Sequence, residues 1–177
     1  MKRLTLNQKL WGILALLWLG LGALVVENAW MARADMLEQR KSMLSQQIDT
    51  ALGVISFYQK KAVDNTLAVA EAKHQALENL RGLRYGTDHS GYFGIYDSNV
   101  TAVLVPPKPD LESKSQVGLV DPTGAHIAVD LVKSSSPGGN HFTDYLWAKP
   151  GSDRPVRKIT YSALVSDWDW HVFTGST

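Results

Sequence analysis

An α+β fold, with helices first and an antiparallel sheet after them, is what this 177-residue sequence predicts. Three observations carry the prediction. All seven prolines lie at or after Pro106, and only four of the 14 glycines fall in the first 80 residues. Between residues 28 and 80 no proline occurs and apolar residues recur at helical spacing. After Gly86 short strand-like runs alternate with turn formers, and helices followed by consecutive strands favour segregated α and β layers.

The first element is residues 10–26, LWGILALLWLGLGALVV, 17 residues without a charge. At about 1.5 Å per residue a helix of that length approaches the roughly 30 Å hydrocarbon thickness of a bilayer. Lys2, Arg3 and Lys9 precede it and Glu27 follows. The positive-inside bias therefore predicts a cytoplasmic N-terminus (1–9), a transmembrane signal anchor (10–26) and an extracytoplasmic remainder (27–177). A cleaved signal peptide is the competing reading, because Ala32-Arg33-Ala34 resembles a small-x-small cleavage site. Against it, the apolar run exceeds a usual signal core and the helical pattern continues across the cut.

Long helices are expected over 28–83. One stripe runs through Met36, Leu37, Leu44, Ile48, Leu52, Ile55 and Tyr58, and a second through Leu67, Ala70, His74, Leu77 and Leu80. A helix from Asn28 to about Lys61 measures about 50 Å, the length of a stalk. Five strands are expected within 91–175: Tyr92 to Asp97, Thr101 to Val105, His141 to Trp147, Val156 to Leu164 and Trp168 to Thr174. The connections carry turn residues at Asp97-Ser98-Asn99, Asp121-Pro122-Thr123-Gly124, Pro137-Gly138-Gly139-Asn140 and Lys149-Pro150-Gly151-Ser152.

Composition removes several function classes. Net charge is +1, from 18 basic and 17 acidic residues, so no global field favours nucleic acid. The absence of cysteine excludes disulfides, thiolate metal sites and a cysteine nucleophile. No GxSxG elbow, HExxH pair, Walker loop or Rossmann glycine pattern occurs, so no catalytic residue and no cofactor is nominated, and the chain is read as a non-enzyme. The five histidines show no metal-ligand spacing, and His74 reads as a packed residue on its helix stripe.

An ordered series of motifs carries a resemblance. Leu83-Arg84-Tyr85-Gly86, GYFGIYD at 91–97, PDLESKS at 109–115, DPTG at 121–124, DYLWAKPG at 144–151 and WDW at 168–170 are similar in order and spacing to the single Cache domain family, type 2. The likeness implies a PAS-like five-stranded antiparallel sheet behind a long N-terminal helix. It implies the extracytoplasmic sensor region of bacterial methyl-accepting chemotaxis receptors and related sensor kinases, anchored in the inner membrane with the sensor in the periplasm. Small-molecule sensing follows from it, with a short organic acid as the expected ligand. Two features depart from the pattern. Pro106-Pro107 stands where many relatives have His-Pro, which leaves the ligand class open. Relatives also continue into a second membrane helix and an output module, whereas nothing after Ile159 is apolar enough to span a bilayer, so signalling is expected through such a module in a longer receptor or through a partner protein. Pairing of the long helices in a homodimer is the expected assembly, parallel or antiparallel.

A small acid needs a charge-assisted donor for its carboxylate and an apolar or aromatic wall for its tail. The candidates are Arg84 and Lys158 for the first, and Tyr85, Tyr92, Tyr96, Tyr145, Trp147 and Tyr161 for the second. Taken singly, each aromatic is equally an ordinary core residue, and Arg84 is equally a cation favoured at a helix C-terminus. Trp168 and Trp170 read as core packing, and Asp121 as a turn-shaping aspartate. The alternatives are a membrane-anchored structural or protein-binding module, marked by a solidly packed aromatic cluster, and, less favoured, a hydrolase.

Overall fold

The structure, a computed structural model, describes residues 6–87, 89–148 and 154–177. Lys2, Arg3 and the turn expected at Lys149-Pro150-Gly151-Ser152 lie outside them. The chain divides into two units, Met1–Arg40 and Lys41–Thr177. In the first, residues 6–40 are helical and their described side chains are exposed, including the apolar run after Leu10. One helix among the described residues is long and apolar enough to cross a membrane, by length and composition.

Helix α1 (Leu6–Val63) ends at Asn65, whose φ of 55° takes the left-handed conformation common at helix C-termini. Thr66 Oγ1 donates to Lys61 O at 2.8 Å, and Lys60 and Lys61 in the last turn complement the helix dipole. There follow α2 (Val69–Gly82), β1 (Gly94–Tyr96), β2 (Ala102–Leu104), α3 (Ile127–Ser135), β3 (Phe142–Ala148), β4 (Pro155–Val165) and β5 (Trp170–Ser176). The sheet order is β2-β1-β5-β4-β3, antiparallel throughout.

In the second unit one face of the sheet packs on α1 and α2. Ile48, Ala51 and Ile55 of α1 meet Ala72, Ala76 and Leu80 of α2 over Ile95, Leu104, Trp170 and Val172. The α1 stripe follows its spacing from Leu44 onward, while Met36 and Leu37 are exposed. The expected second stripe holds at Leu67, Leu77 and Leu80, which pack on the core, and is corrected at Ala70 and His74, which are exposed; Ala72 and Ala76 complete the buried face of α2.

Three further expectations change. Trp168 lies in a 3-10 turn (Ser166–Trp168), not in β5, and Asp169 turns the chain with a φ of 57°. The two indoles still meet edge to face, 4.8 Å apart, in the core. His141, expected to open a strand, has a φ of 65° and precedes β3. Helix α3 was not expected at all; its nine residues are shorter than the window over which helical periodicity is readable.

The segment between β2 and α3 is tied down at several points. Arg81 at the end of α2 forms two parallel 2.8 Å bonds to Glu112, whose Oε1 also accepts from Val105 N at 2.9 Å. Along the β2 edge, Ala102 N donates to Lys114 O and Ser113 N to Ala102 O. At the opposite edge, Leu146 N of β3 donates to Asp121 Oδ2 at 2.9 Å, while Asp121 Oδ1 accepts from the amides of Thr123 and Ala125. These donors hold the Asp121 carboxyl well below its ordinary value, at about 2, led by the Thr123 hydroxyl and the Leu146 amide.

Candidate functional site

Successive strand residues point to opposite faces, so the sheet face turned away from α1 and α2 is lined by alternate residues. β4 supplies Lys158, Thr160 and Ser162, β3 supplies Tyr145 and Trp147, and Phe173 comes from β5. Tyr92 and Tyr96 complete the wall, and α3 and the β2–α3 segment cover it with Ile127, Leu131, Val105 and Leu119. Tyr96 stacks on Phe173 at 4.9 Å, and Tyr145 stands edge-on to Trp147 at 6.5 Å.

Lys158 is 4% exposed within this apolar setting. Its Nζ donates to Tyr92 Oη at 3.0 Å and sits 4.6 Å from that ring's centroid. Among the described residues no carboxylate pairs with it. Burial acts against its charge, and the phenols of Tyr145, Tyr92 and Tyr85 offset this and hold its pKa above the ordinary lysine value. Phenols contribute full charge only in the alkaline range where they ionise. Near neutral pH they supply dipoles alone, and the cost of burying an unpaired ammonium stands.

Burial pushes the hydroxyls of Tyr96, Tyr145 and Tyr85 upward, so each is a neutral donor at pH 7. Thr160 Oγ1 donates to Tyr145 Oη at 3.0 Å. Thr174 Oγ1 donates to Tyr92 O at 2.6 Å, which leaves Tyr85 Oη as donor in the 2.5 Å contact between Tyr85 and Thr174.

Two cavities adjoin these groups. An inner one of about 20 Å³ lies among Tyr92, Tyr96, Tyr145, Trp147, Leu131 and Phe173. An outer one of about 400 Å³ is lined by Lys158, Tyr85, Gly91, Trp147, Gly175 and Met43, with further polar side chains. Trp147 lines both.

The structure thus brings together Tyr92, Tyr96, Tyr145, Trp147 and Lys158, with Tyr85 at the outer cavity. It places two candidates elsewhere. Arg84 is exposed, its Nη1 donating to Arg81 O and Leu83 O at 2.8 Å, the local bonding of a cation at a helix end. Tyr161, three residues from Lys158, points to the opposite face of β4 and packs against His141 and Phe142. Sequence reasoning missed Thr160 and Phe173, although counting two residues on from Lys158 finds the first. It also missed Leu131 and Ile127, which depended on α3, and Lys108, whose Nζ lies 4.7 Å from the Trp147 centroid.

His171 is buried beside this region, with Nδ1 2.7 Å from Ser135 Oγ and Nε2 3.1 Å from Ser98 Oγ. Burial pushes its imidazole below the ordinary value, against the pull of Asp169 and Asp97. No cluster of metal-ligating side chains occurs among the described residues.

Comparison with known proteins places these features. The chain is 29% identical to the methyl-accepting chemotaxis protein McpP of Pseudomonas putida, over 99% of its own length and 32% of that protein's. It is 28% identical to the sensor histidine kinase MctS of Rhizobium johnstonii, over 80% of its length and 29% of that protein's. It therefore spans about a third of the curated relatives it matches. Among solved structures, one described as the structural basis for carboxylic acid recognition by a Cache chemosensory domain superposes with a TM-score of 0.75 at 29% identity, over 80% of this chain and 95% of that one. A periplasmic sensor domain of a chemotaxis protein gives 0.74 at 33% identity, over 80% and 96%. A methyl-accepting chemotaxis protein from Vibrio parahaemolyticus gives 0.71 at 28%, over 81% and 92%. The Single Cache domain 2 family model matches residues 36–177, and with this sheet and its helical layer the chain belongs to that family of sensory domains.

Proposed function

We propose that the chain is the extracytoplasmic ligand-sensing region of a transmembrane receptor that binds a small organic acid, with Lys158 as the carboxylate anchor. One observation carries this reading: a lysine 4% exposed, among tyrosine hydroxyls and beside a cavity, with no acidic partner among the described residues. Burying a charge without a partner is costly, and a ligand carboxylate supplies the missing one. Tyr92 and Tyr145, whose oxygens accept from Lys158 and Thr160, keep hydroxyl protons to donate, and Tyr85 and Trp147 add an apolar wall. The similarity to a structure described for carboxylic acid recognition supports the ligand class. Residues 10–26 form the membrane anchor, residues 27–177 lie in the periplasm, and α1 pairs with a second copy. Occupancy shifts the signalling equilibrium only by the ligand's differential affinity for the two states. An output module of a longer receptor, or a partner protein, reads that shift.

The test is thermal unfolding of the chain in detergent micelles, read by intrinsic tryptophan fluorescence, against a panel of organic acids, amino acids and amines. Ligand at a hundredfold excess over Kd adds about 2.7 kcal/mol and raises Tm by about 5–10 °C. A flat panel on a folded protein favours the structural-module reading, which the nearly filled inner cavity supports.

A further inference from the structure

We infer that the acid held by Lys158 is a hydroxylated monocarboxylate of about four to six carbons, its tail lying in the outer cavity rather than among the inner rings. This rests on the carboxylate-anchor reading above and narrows it. The inner cavity, at about 20 Å³, holds about one water as it stands, so a carbon chain directed inward must displace Tyr96, Phe173 or Leu131 from a packed core. The outer cavity, at about 400 Å³, already falls within the roughly 300–1,000 Å³ range of small-molecule sites. Lys158 lines it from a position 4% exposed.

Charge fixes one property of the ligand. Lys158 is the one charged side chain among the described residues lining the outer cavity, and its single ammonium pairs with one carboxylate. The lining fixes another. Tyr85, Trp147 and Met43 form an apolar wall, but Gln47, Thr87 and Ser176 present an amide and hydroxyls. An alkyl tail would cover these polar groups without bonding them, whereas ligand hydroxyls match them. Two glycines keep the anchor accessible. A Cβ at Gly175 would stand 2.5 Å from Lys158 Cε, and one at Gly91 2.4 Å from the Tyr85 ring.

Isothermal titration of the chain in micelles with propionate, hexanoate, L-threonate and D-gluconate tests this, with Tm measured on every variant to confirm folding. Threonate or gluconate is expected to bind at least about tenfold more tightly than hexanoate and propionate. Gln47→Leu, on the surface of α1, is expected to weaken the hydroxylated acids about fivefold or more and to spare propionate. If propionate or hexanoate binds as tightly as the hydroxylated acids, or Gln47→Leu leaves all four unchanged, the inference is overturned while the acid-sensor reading stands. If none of the four, nor any acid of the wider panel, binds the folded chain, the carboxylate-anchor reading itself fails.

Discussion

Replacing Lys158 by methionine asks whether the buried ammonium serves the fold or a ligand. Methionine retains most of the stem's length and volume, so little cavity opens. The variant loses a bond from a charged donor to Tyr92 Oη, about 1.5–3 kcal/mol, and a cation–π contact of about 1–2 kcal/mol. It also loses a charge whose effective burial penalty is itself several kcal/mol, and exchanging buried ions for apolar packing often raises stability by about 1–4 kcal/mol. The opposing contributions nearly cancel, so Tm without ligand is expected to hold or to rise by up to about 5 °C. The assay is tryptophan-monitored thermal unfolding in micelles at pH 7, with acid binding measured in parallel and expected to vanish. A fall in Tm of more than about 6 °C, roughly 2 kcal/mol for a chain of this size, would refute the reasoning, because the ammonium would then be holding the fold together.

Three other outcomes are expected. Glu112→Ala removes both bonds to Arg81 and the acceptor for Val105 N; with the pair partly exposed, the cost is about 1–2 kcal/mol by urea titration. Leu80→Ala, at a fully buried position between α1, α2 and the sheet, costs about 2–5 kcal/mol in the same titration. Acid sensitivity arrives in two stages. The folded His171 imidazole lies below its ordinary 6.5, so the unfolded chain takes up that proton first and stability declines as pH falls below it; His171→Gln should flatten Tm in that window. Asp121, held at about 2 against an ordinary 3.8, contributes stability that is complete above the higher value and lost as pH falls through the lower; Asp121→Asn should remove that acid limb.

The sheet was legible because its strands are rich in β-branched and aromatic residues and its turns in proline and glycine. The long helices were legible from spacing and from the absence of proline. The α2 face was legible at Leu77 and Leu80 and not at Ala72 and Ala76, because alanine gives a weak apolar signal. At the site, period-two alternation was enough to bring Tyr92 to Tyr96 and Tyr145 to Trp147. It could equally have separated Tyr161 from Lys158, an odd offset along one strand. Arg84 shows the other limit: being next to a cluster in sequence says little about direction at a helix end, where the side chain can close on its own backbone carbonyls. The cavities depend on strand order and on α3, which no local pattern encodes.

The segment between β2 and α3 touches both outer strands, through Ser113 and Lys114 at β2 and through Asp121 at β3. Open sheet edges are templates on which a second chain can add a strand, and these bonds occupy the template at those positions. The same segment covers the aromatic cluster with Val105 and Leu119. Loss of this cover would therefore expose the aromatic cluster and the sheet edges together. The Arg81–Glu112 fork and the Asp121 turn then act as safeguards against edge-to-edge aggregation, and variants that weaken them should lose solubility.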